Sequence, residues 1–244
     1  MALLEVCVDN VAGVQAAIAG GADRIELCAA LSEGGLTPSA GFVQWACQTA
    51  PIPVMVMIRP RVGDFCYSEA ELGVMMHDIV AAKAAGAAGV VFGCLREDRR
   101  IDGPATKRLL EAAAPLSVTF HRAFDLTPDP FTALDSLIRL GIPRLLTSGQ
   151  AATAPAGQDL IRQLVTRSND RIVILPGSGI QPDNIHALLQ HTGAREYHAS
   201  ASAAVSVSAT LEASFHATRN LRMTSEAQVR ALRAAVESAG RRGL

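Results

Sequence analysis

The sequence predicts a single-domain (β/α)8 barrel, the TIM-barrel fold, spanning residues 1–244. Three observations support this prediction: a length of 244 residues with 49% hydrophobic content, eight short apolar runs separated by helical patterns, and a turn motif that recurs. The length is typical of one such barrel. An aromatic content of only 4%, beside abundant Ala, Val, Leu and Ile, favours helices packed on parallel strands over an all-β fold.

The recurring motif is Gly-Ala-Asp-Arg-Ile at 21–25, which is echoed at 86–90, 141–145 and 193–197. Each copy follows an Ala/Leu-rich helical segment and precedes a short apolar run. Each glycine is therefore predicted to end a helix and to lead into a buried strand. The four copies mark alternate strands, which indicates a repeat of two βα units.

The predicted strands are mostly continuous apolar runs, as expected for parallel strands that are covered on both faces. They are 3–8, 24–28, 54–59, 89–93, 117–121, 144–147, 172–176 and 196–199. The predicted helices between them are 11–19, 39–49, 68–85, 103–113, 130–140, 158–167 and 182–190. A long Ala/Ser-rich loop at about 200–223 and a capped helix at about 225–239 complete the prediction.

An open doubly wound sheet is the alternative fold. That fold usually carries a glycine-rich fingerprint directly after its first strand, and the sequence Cys-Val-Asp-Asn-Val at 7–11 has none. The barrel is therefore the preferred prediction.

Composition argues against several classes of function. A net charge of −1 provides no basic face for nucleic acid or an anionic membrane, and no run reaches the roughly 18 apolar residues of a membrane span. The five cysteines form no C-x-x-C pair, which argues against a disulfide framework and a closed zinc site. We expect a cytoplasmic protein with reduced cysteines that binds neither nucleic acid nor membranes.

Polar residues concentrate at the carboxyl ends of the predicted strands, which form the functional face of such barrels. In chain order they are Glu5, Cys7, Asp9, Glu26, Cys28, Arg59, Arg61, His121, Arg122, Asp125, Gly177, Ser178, Gly179 and His198. The alternation of side chains along a strand places Glu5 with Cys7, and Glu26 with Cys28, on one face.

Two carboxylates inside a barrel require buried hydrogen-bonding partners. Arg59, His121 and Arg122 are the predicted partners of Glu5 and Glu26. The set has two interpretations: a structural layer of ion pairs within the barrel, or a ligand pocket.

The two cysteines also have two interpretations. Adjacent parallel strands lie about 4.8 Å apart, so thiols at matching levels could share a soft cation such as Cu(I). Buried cysteine is also common as inert packing. The glycine-rich turn at 176–180 is similarly either a phosphate-binding loop or a turn that needs glycine for its shape.

Several motifs spread along nearly the whole chain resemble the CutC copper homeostasis family. They are Glu-Val-Cys-Val-Asp at 5–9, Gly-Gly-Ala-Asp-Arg-Ile-Glu-Leu-Cys at 20–28, Glu-Gly-Gly-Leu-Thr-Pro-Ser at 33–39, Met-Ile-Arg-Pro-Arg at 57–61, Thr-Phe-His-Arg-Ala-Phe-Asp at 119–125, Leu-Thr-Ser-Gly at 146–149, Gly-Ser-Gly-Ile at 177–180, Glu-Tyr-His-Ala-Ser-Ala at 196–201 and Met-Thr-Ser-Glu at 223–226. The segment 203–221 departs most from the family pattern.

The resemblance implies a cytoplasmic TIM barrel that is associated with copper tolerance and forms a homo-oligomer. It also implies Cu(I) binding at Cys7 and Cys28. Copper is therefore the expected metal.

The alternative is a lyase, isomerase or hydrolase that acts on a small anionic substrate, phosphorylated or not. The ring of carboxylates, arginines and histidine favours it, because a soft Cu(I) site does not need these groups. Its catalytic residues would be Glu5, Glu26 and His121, and its ligand-binding residues would be Arg59, Arg61, Arg122, Asp125, Gly177, Ser178, Gly179 and His198.

Overall fold

The computed structural model describes residues 2–205 and 222–241 and has a central sheet of eight parallel strands. The strands are β1 (Leu3–Val8), β2 (Arg24–Leu27), β3 (Val54–Met57), β4 (Gly89–Phe92), β5 (Ser117–Phe120), β6 (Arg144–Thr147), β7 (Val173–Pro176) and β8 (Glu196–Ala199). They pair in sequential order, and β1 also pairs with β8. A parallel bridge between Gly177 and His198 joins β7 to β8, so the sheet closes into a barrel.

Helices follow the strands and cover the outside of the barrel. They are α1 (Val11–Gly20), α2 (Ala40–Thr49), α3 (Glu69–Ala84), α4 (Gly103–Ala113), α5 (Pro130–Leu140), α6 (Gln158–Ser168), α7 (Ile185–Thr192) and α8 (Glu226–Arg241). The predicted (β/α)8 barrel is confirmed, with most boundaries within two residues.

Local sequence explains most helix starts. Short polar side chains accept hydrogen bonds from first-turn amides at five of them: Asn10, Ser39, Ser68, Asp102 and Asp129. Such caps satisfy amides that have no partner within the helix.

The glycines of the recurring motif lie where helices end, as predicted. Gly21, Gly86, Gly141 and Gly193 have φ values of 86°, 87°, 78° and 68°. This left-handed conformation reverses the chain after a helix at little steric cost for glycine.

The seventh helix begins later than predicted. It starts at Ile185 rather than at 182, because a turn in which the Asn184 side chain accepts from the Gln181 amide precedes it.

The predicted C-terminal helix is present as α8, with Val229, Leu232 and Val236 buried. Two short antiparallel strands, β9 (Ser202–Ala204) and β10 (Arg222–Thr224), precede it. The middle of the predicted loop at 200–223 lies outside the described residues. None of the helices in the described part of the chain combines the length and the apolar character that a bilayer-spanning segment requires.

Candidate functional site

A layer of buried ion pairs crosses the barrel near the amino ends of the strands. Arg24 forms ion pairs with Glu5 and Glu196, and Arg144 donates to Glu196 at 2.6 and 3.2 Å. Arg24, Arg144 and Glu196 are the first residues of β2, β6 and β8, so the parallel register brings them to one level. A buried ion-pair layer is therefore present, but Glu5 is its only member from the predicted polar set, and its other members are Arg24, Arg144 and Glu196.

A second group lies directly above this layer, on β1, β2 and β8. One ligand atom each from Cys7, Glu26 and His198 lies within 4.8 Å of the other two, and all three residues are buried. The register explains the convergence, because Cys7 is paired with Glu26 on β2 and Glu5 is paired with His198 on β8. We refer to Cys7, Glu26 and His198 as the β1–β2–β8 group.

Glu5 connects the two levels. Its Oε1 lies 2.8 Å from Nδ1 of His198, and its other oxygen pairs with Arg24. Burial by itself would raise the pKa of Glu5, but hydrogen bonds from His198 and Arg24 outweigh it and lower the pKa to about 2. Glu5 is therefore an anion that fixes the orientation of the His198 ring.

His198 and Glu26 each shift the pKa of the other. Burial favours neutral His198, but Glu26 and then Cys7 and Glu5 raise the pKa of His198 well above its ordinary value. Burial raises the pKa of Glu26, against the opposing effect of His198. His198 Nε2 lies 3.8 Å from Glu26 Oε2. In the absence of a metal ion the group therefore holds a proton on His198.

Cys28 is not a member of the β1–β2–β8 group but adjoins it at Glu26. Its thiol is fully buried in a small cluster with Met55, Met57 and Val91, and Sγ lies 3.5 Å from Glu26 Oε2. Burial, followed by the charge of Glu26, raises the pKa of the Cys28 thiol well above its ordinary value.

The sequence left open whether Cys7 and Cys28 stand at matching levels, and the register shows that they do not. Cys7 is level with Glu26, and Cys28 lies two residues further along the chain. A metal group that includes Glu26 and His198 was not predicted, since the sequence does not reveal the register between β1 and β8.

A cavity of about 350 Å³ opens above the group, at the carboxyl ends of the strands. Eight residues of the predicted site line it: Cys7, Glu26, Arg59, His121, Arg122, Ser178, Gly179 and His198. The other predicted site residues do not line it: Glu5, Cys28, Arg61, Asp125 and Gly177.

Arg59 does not pair with the carboxylates as predicted. Its guanidinium donates to the carbonyl oxygens of Glu33, Gly35 and Gly63 at 3.0, 3.2 and 2.9 Å, and it lies 4.9 Å from the centre of the Phe65 ring. The predicted ion pair is wrong because these carbonyl groups belong to loops whose shape the sequence pattern does not define. Arg24, two residues before Glu26 and on the same face of β2, is the arginine that pairs with Glu5.

His121 is likewise not a partner of the carboxylates. Its Nδ1 accepts the amide hydrogen of Ala123 at 3.2 Å, and its ring lies 4.8 Å from that of Phe65. Burial, followed by the charge of Arg59, lowers the pKa of His121 to about 3. The imidazole is therefore neutral, with its hydrogen on Nε2.

Arg122 pairs with Asp125 rather than with Glu5 or Glu26, at 2.8 Å. It also donates to Ser148 Oγ at 2.9 Å, and Asp125 accepts the Ser148 amide hydrogen at 3.0 Å. These contacts hold Arg122 at the cavity wall.

Arg61 lies outside the cavity, where it pairs with Asp64 and Glu71 and donates to the carbonyl of Cys66. In the glycine-rich turn, Ser178 has a φ of 79° and donates through Oγ to the Ala152 carbonyl at 3.0 Å. Phosphate binding by this turn stays a prediction.

These features define a (β/α)8 barrel with a polar, partly titratable cavity at the carboxyl ends of its strands and a Cys–Glu–His group at its base. The chain belongs to the CutC family, whose family model matches residues 2–203. The structure and this membership agree with the resemblance seen in the motifs.

Relatives support the same assignment. The chain is 52% identical over 199 residues to the copper homeostasis protein cutC homolog of Homo sapiens, covering 82% of this chain and 73% of that protein. It is 47% identical over 238 residues to a family protein CutC of Sinorhizobium medicae, covering 97% and 96%. A crystal structure of CutC from Streptococcus agalactiae matches with a TM-score of 0.78 and 35% identity, covering 82% of this chain and 99% of that one.

Proposed function

We propose that this protein functions in copper homeostasis and binds copper at the β1–β2–β8 group. The observation that supports this most directly is the convergence of a thiol, an imidazole and a carboxylate within 4.8 Å at the base of an open cavity. The names of relatives that cover most of the chain point to the same function.

The chemistry of the donor set fits copper. Thiolate is a preferred ligand of Cu(I), and imidazole binds copper as well as zinc, iron and nickel. The Cys7 and His198 side chains therefore provide two suitable donors, and Glu26 provides a third that is harder. Because Cys28 lies beside Glu26, it is the neighbouring thiol that could replace the carboxylate as a ligand.

Glu5 has the role of orienting His198. Metal-binding histidines commonly donate their other ring N–H to a carboxylate, which fixes the tautomer and makes the ligating nitrogen more basic. The contact between Glu5 Oε1 and His198 Nδ1, at 2.8 Å, has this form and leaves Nε2 for the metal. Since metal and proton compete for His198 and Cys7, copper binding should release protons.

The test is an anaerobic Cu(I) titration against a chelator of known affinity under reducing conditions. Cys7→Ser and His198→Gln should each weaken binding by about tenfold or more, because each removes a direct donor. Cys47→Ser is the matched control, since Cys47 lies on α2 and should leave binding unchanged.

Cys28→Ser distinguishes the two versions of the site. Binding close to wild type supports the Cys–Glu–His group, whereas a loss equal to that of Cys7→Ser supports the two-cysteine site implied by the family resemblance. Equal affinity in all of these variants would reject copper binding at this end of the barrel.

We also propose a cytoplasmic location and a homo-oligomeric state. The cysteines at 7, 28, 47, 66 and 94 are free thiols in the structure, which is consistent with a reducing compartment. Oligomerisation rests on the family resemblance alone, and sedimentation analysis of the purified protein would test it.

A further inference from the structure

One buried positive charge in the cavity wall has no carboxylate partner among the described residues. Arg59 is only 6% exposed, and the groups that accept hydrogen bonds from it are backbone carbonyl oxygens. Its Nε has no hydrogen-bond partner. By contrast, Arg24, Arg122 and Arg144 each pair with a carboxylate. Because buried charges are normally paired, this cavity is suited to an anion.

His121 supplies a neutral donor on the same side of the cavity. Its Nδ1 accepts the Ala123 amide hydrogen, so Nε2 carries the hydrogen, yet Nε2 is buried and without a partner in the described structure. The ring of Phe65 packs against both Arg59 and His121, at 4.9 and 4.8 Å. The two groups therefore lie beside the same aromatic ring in the cavity wall.

A third unpartnered atom has complementary chemistry. Glu26 lines the same cavity, and its buried Oε1 has no hydrogen-bond partner in the part of the chain described. It can exchange a hydrogen bond with a hydroxyl group. Other stretches of the wall are apolar, including Met57, Leu146 and Ile180, and would contact a carbon skeleton.

We propose that the cavity binds a small organic oxyanion that also carries a hydroxyl group, with its carboxylate or phosphate held by Arg59 and His121 and its hydroxyl by Glu26. A volume of about 350 Å³ is at the small end of ligand-binding pockets, which indicates a metabolite-sized molecule. Arg59 and His121 take no part in the proposed copper site, so the inference goes beyond the proposed function, and Glu26 is the one residue that belongs to both.

The experiment is calorimetric titration of the full-length, metal-free protein with malate and with glycerol 3-phosphate. Binding of one and not the other identifies the anionic group as carboxylate or phosphate. Succinate and inorganic phosphate, which lack the alcohol hydroxyl of malate and of glycerol 3-phosphate, should bind more weakly than the corresponding hydroxylated compound. Because no copper is present, the result is independent of the proposed metal site.

Two variants and one matched control test the residues. Arg59→Met and His121→Phe should each weaken binding by about tenfold or more, because each removes a hydrogen bond to a charged group. Arg61→Met should leave binding unchanged, since Arg61 lies outside the cavity. If Arg59→Met does not fold, His121→Phe decides, because it retains an aromatic ring and loses only the donor.

The proposal is overturned if none of the four compounds binds at concentrations up to about 10 mM. It is also overturned if Arg61→Met weakens binding as much as the cavity variants do, or if the cavity variants bind like wild type.

Discussion

Nδ1 of His198 lies 2.8 Å from Oε1 of Glu5, although the two residues are 193 positions apart in the chain. This contact connects the buried ion-pair layer to the candidate metal group, because Glu5 also pairs with Arg24. The position of a candidate ligand thus depends on a carboxylate that does not line the cavity.

Removing the charge of Glu5 should destabilise the fold. Glu5→Gln leaves Arg24 and protonated His198 without their common anion, and breaking a buried pair in this way costs on the order of 3 kcal/mol. Urea unfolding at neutral pH measures the change in the free energy of unfolding. Glu111→Gln is the control, since its 3.9 Å contact with Lys107 is exposed and contributes little. Equal losses in the two variants would contradict the buried pair.

His121 should make the protein less stable in mild acid. The pKa of His121 is lowered to about 3 in the folded state, and the unfolded value is about 6.5. The contribution of neutral His121 to the free energy of unfolding is therefore complete above pH 6.5. It is lost as the pH falls towards 3, by about 1.4 kcal/mol per pH unit.

The measurement is the free energy of unfolding between pH 5 and pH 7 for wild type and His121→Phe. The free energy of unfolding of wild type minus that of His121→Phe should increase with pH up to about 6.5 and then level off. His77→Phe, which changes an exposed residue of α3, is the control. A pH-independent difference for His121→Phe would show that the imidazole is solvated.

Gly157 should tolerate no side chain. A Cβ atom there would lie 2.1 Å from the carbonyl oxygen of Ser148 and 2.9 Å from Cα of Gly149. Gly157→Ala should therefore cost about 1–3 kcal/mol through backbone displacement and should also disturb Arg122, which donates to Ser148.

Gly73→Ala is the matched control, because nothing lies within 4 Å of its Cβ position in α3. It should stabilise the protein by about 0.5–1 kcal/mol, since alanine is the better helix former. Thermal unfolding of both variants would measure the effects. A melting temperature for Gly157→Ala at or above that of wild type would mean that the close approach does not exist.

The fold was predictable because its signals are local. Apolar runs of strand length, helix caps such as Ser68, and the glycine at the end of each recurring motif are all visible within a few residues. The order of strands in a (β/α)8 barrel then follows from the chain order, so the topology required no long-range information.

The site was predictable in its location but not in its pairings. Alternation placed Glu5, Cys7 and Glu26 inside the barrel, but it could not establish that Cys7 is level with Glu26, since register depends on how neighbouring strands pack. Arg24 was missed although it shares the face of Glu26, two residues away. Attention to that spacing would have identified it.

Arg59 illustrates what the sequence could not provide. Its partners are carbonyl oxygens of Glu33, Gly35 and Gly63, and two of these belong to glycines with φ values of 85° and 93°. Such conformations are open to glycine but not specified by it. The sequence places Arg59 near two buried carboxylates and so predicts an ion pair. In the structure, loop carbonyl oxygens take the place of those carboxylates as the hydrogen-bond acceptors of Arg59.

The same contacts lead to a final prediction, that Arg59→Lys loosens the loop over the cavity. A guanidinium presents several donors in a planar fork, whereas a lysine ammonium is a compact charge that cannot reach three carbonyl groups on two loops in the same way. The backbone contact between Thr37 N and the Arg59 carbonyl, at 3.0 Å, does not involve the side chain and should persist. The loss of side-chain contacts should cost about 1–3 kcal/mol and expose the segment around Glu33.

Cleavage by a glutamate-specific protease after Glu33, followed by mass spectrometry, should therefore be several times faster in Arg59→Lys than in wild type. Arg61→Lys is the matched control, because Arg61 bonds to Asp64, Glu71 and Cys66 and makes no contact with the loop at 33–35. Cleavage after Glu33 that is equally fast in both lysine variants would show that the Arg59 guanidinium does not hold this loop.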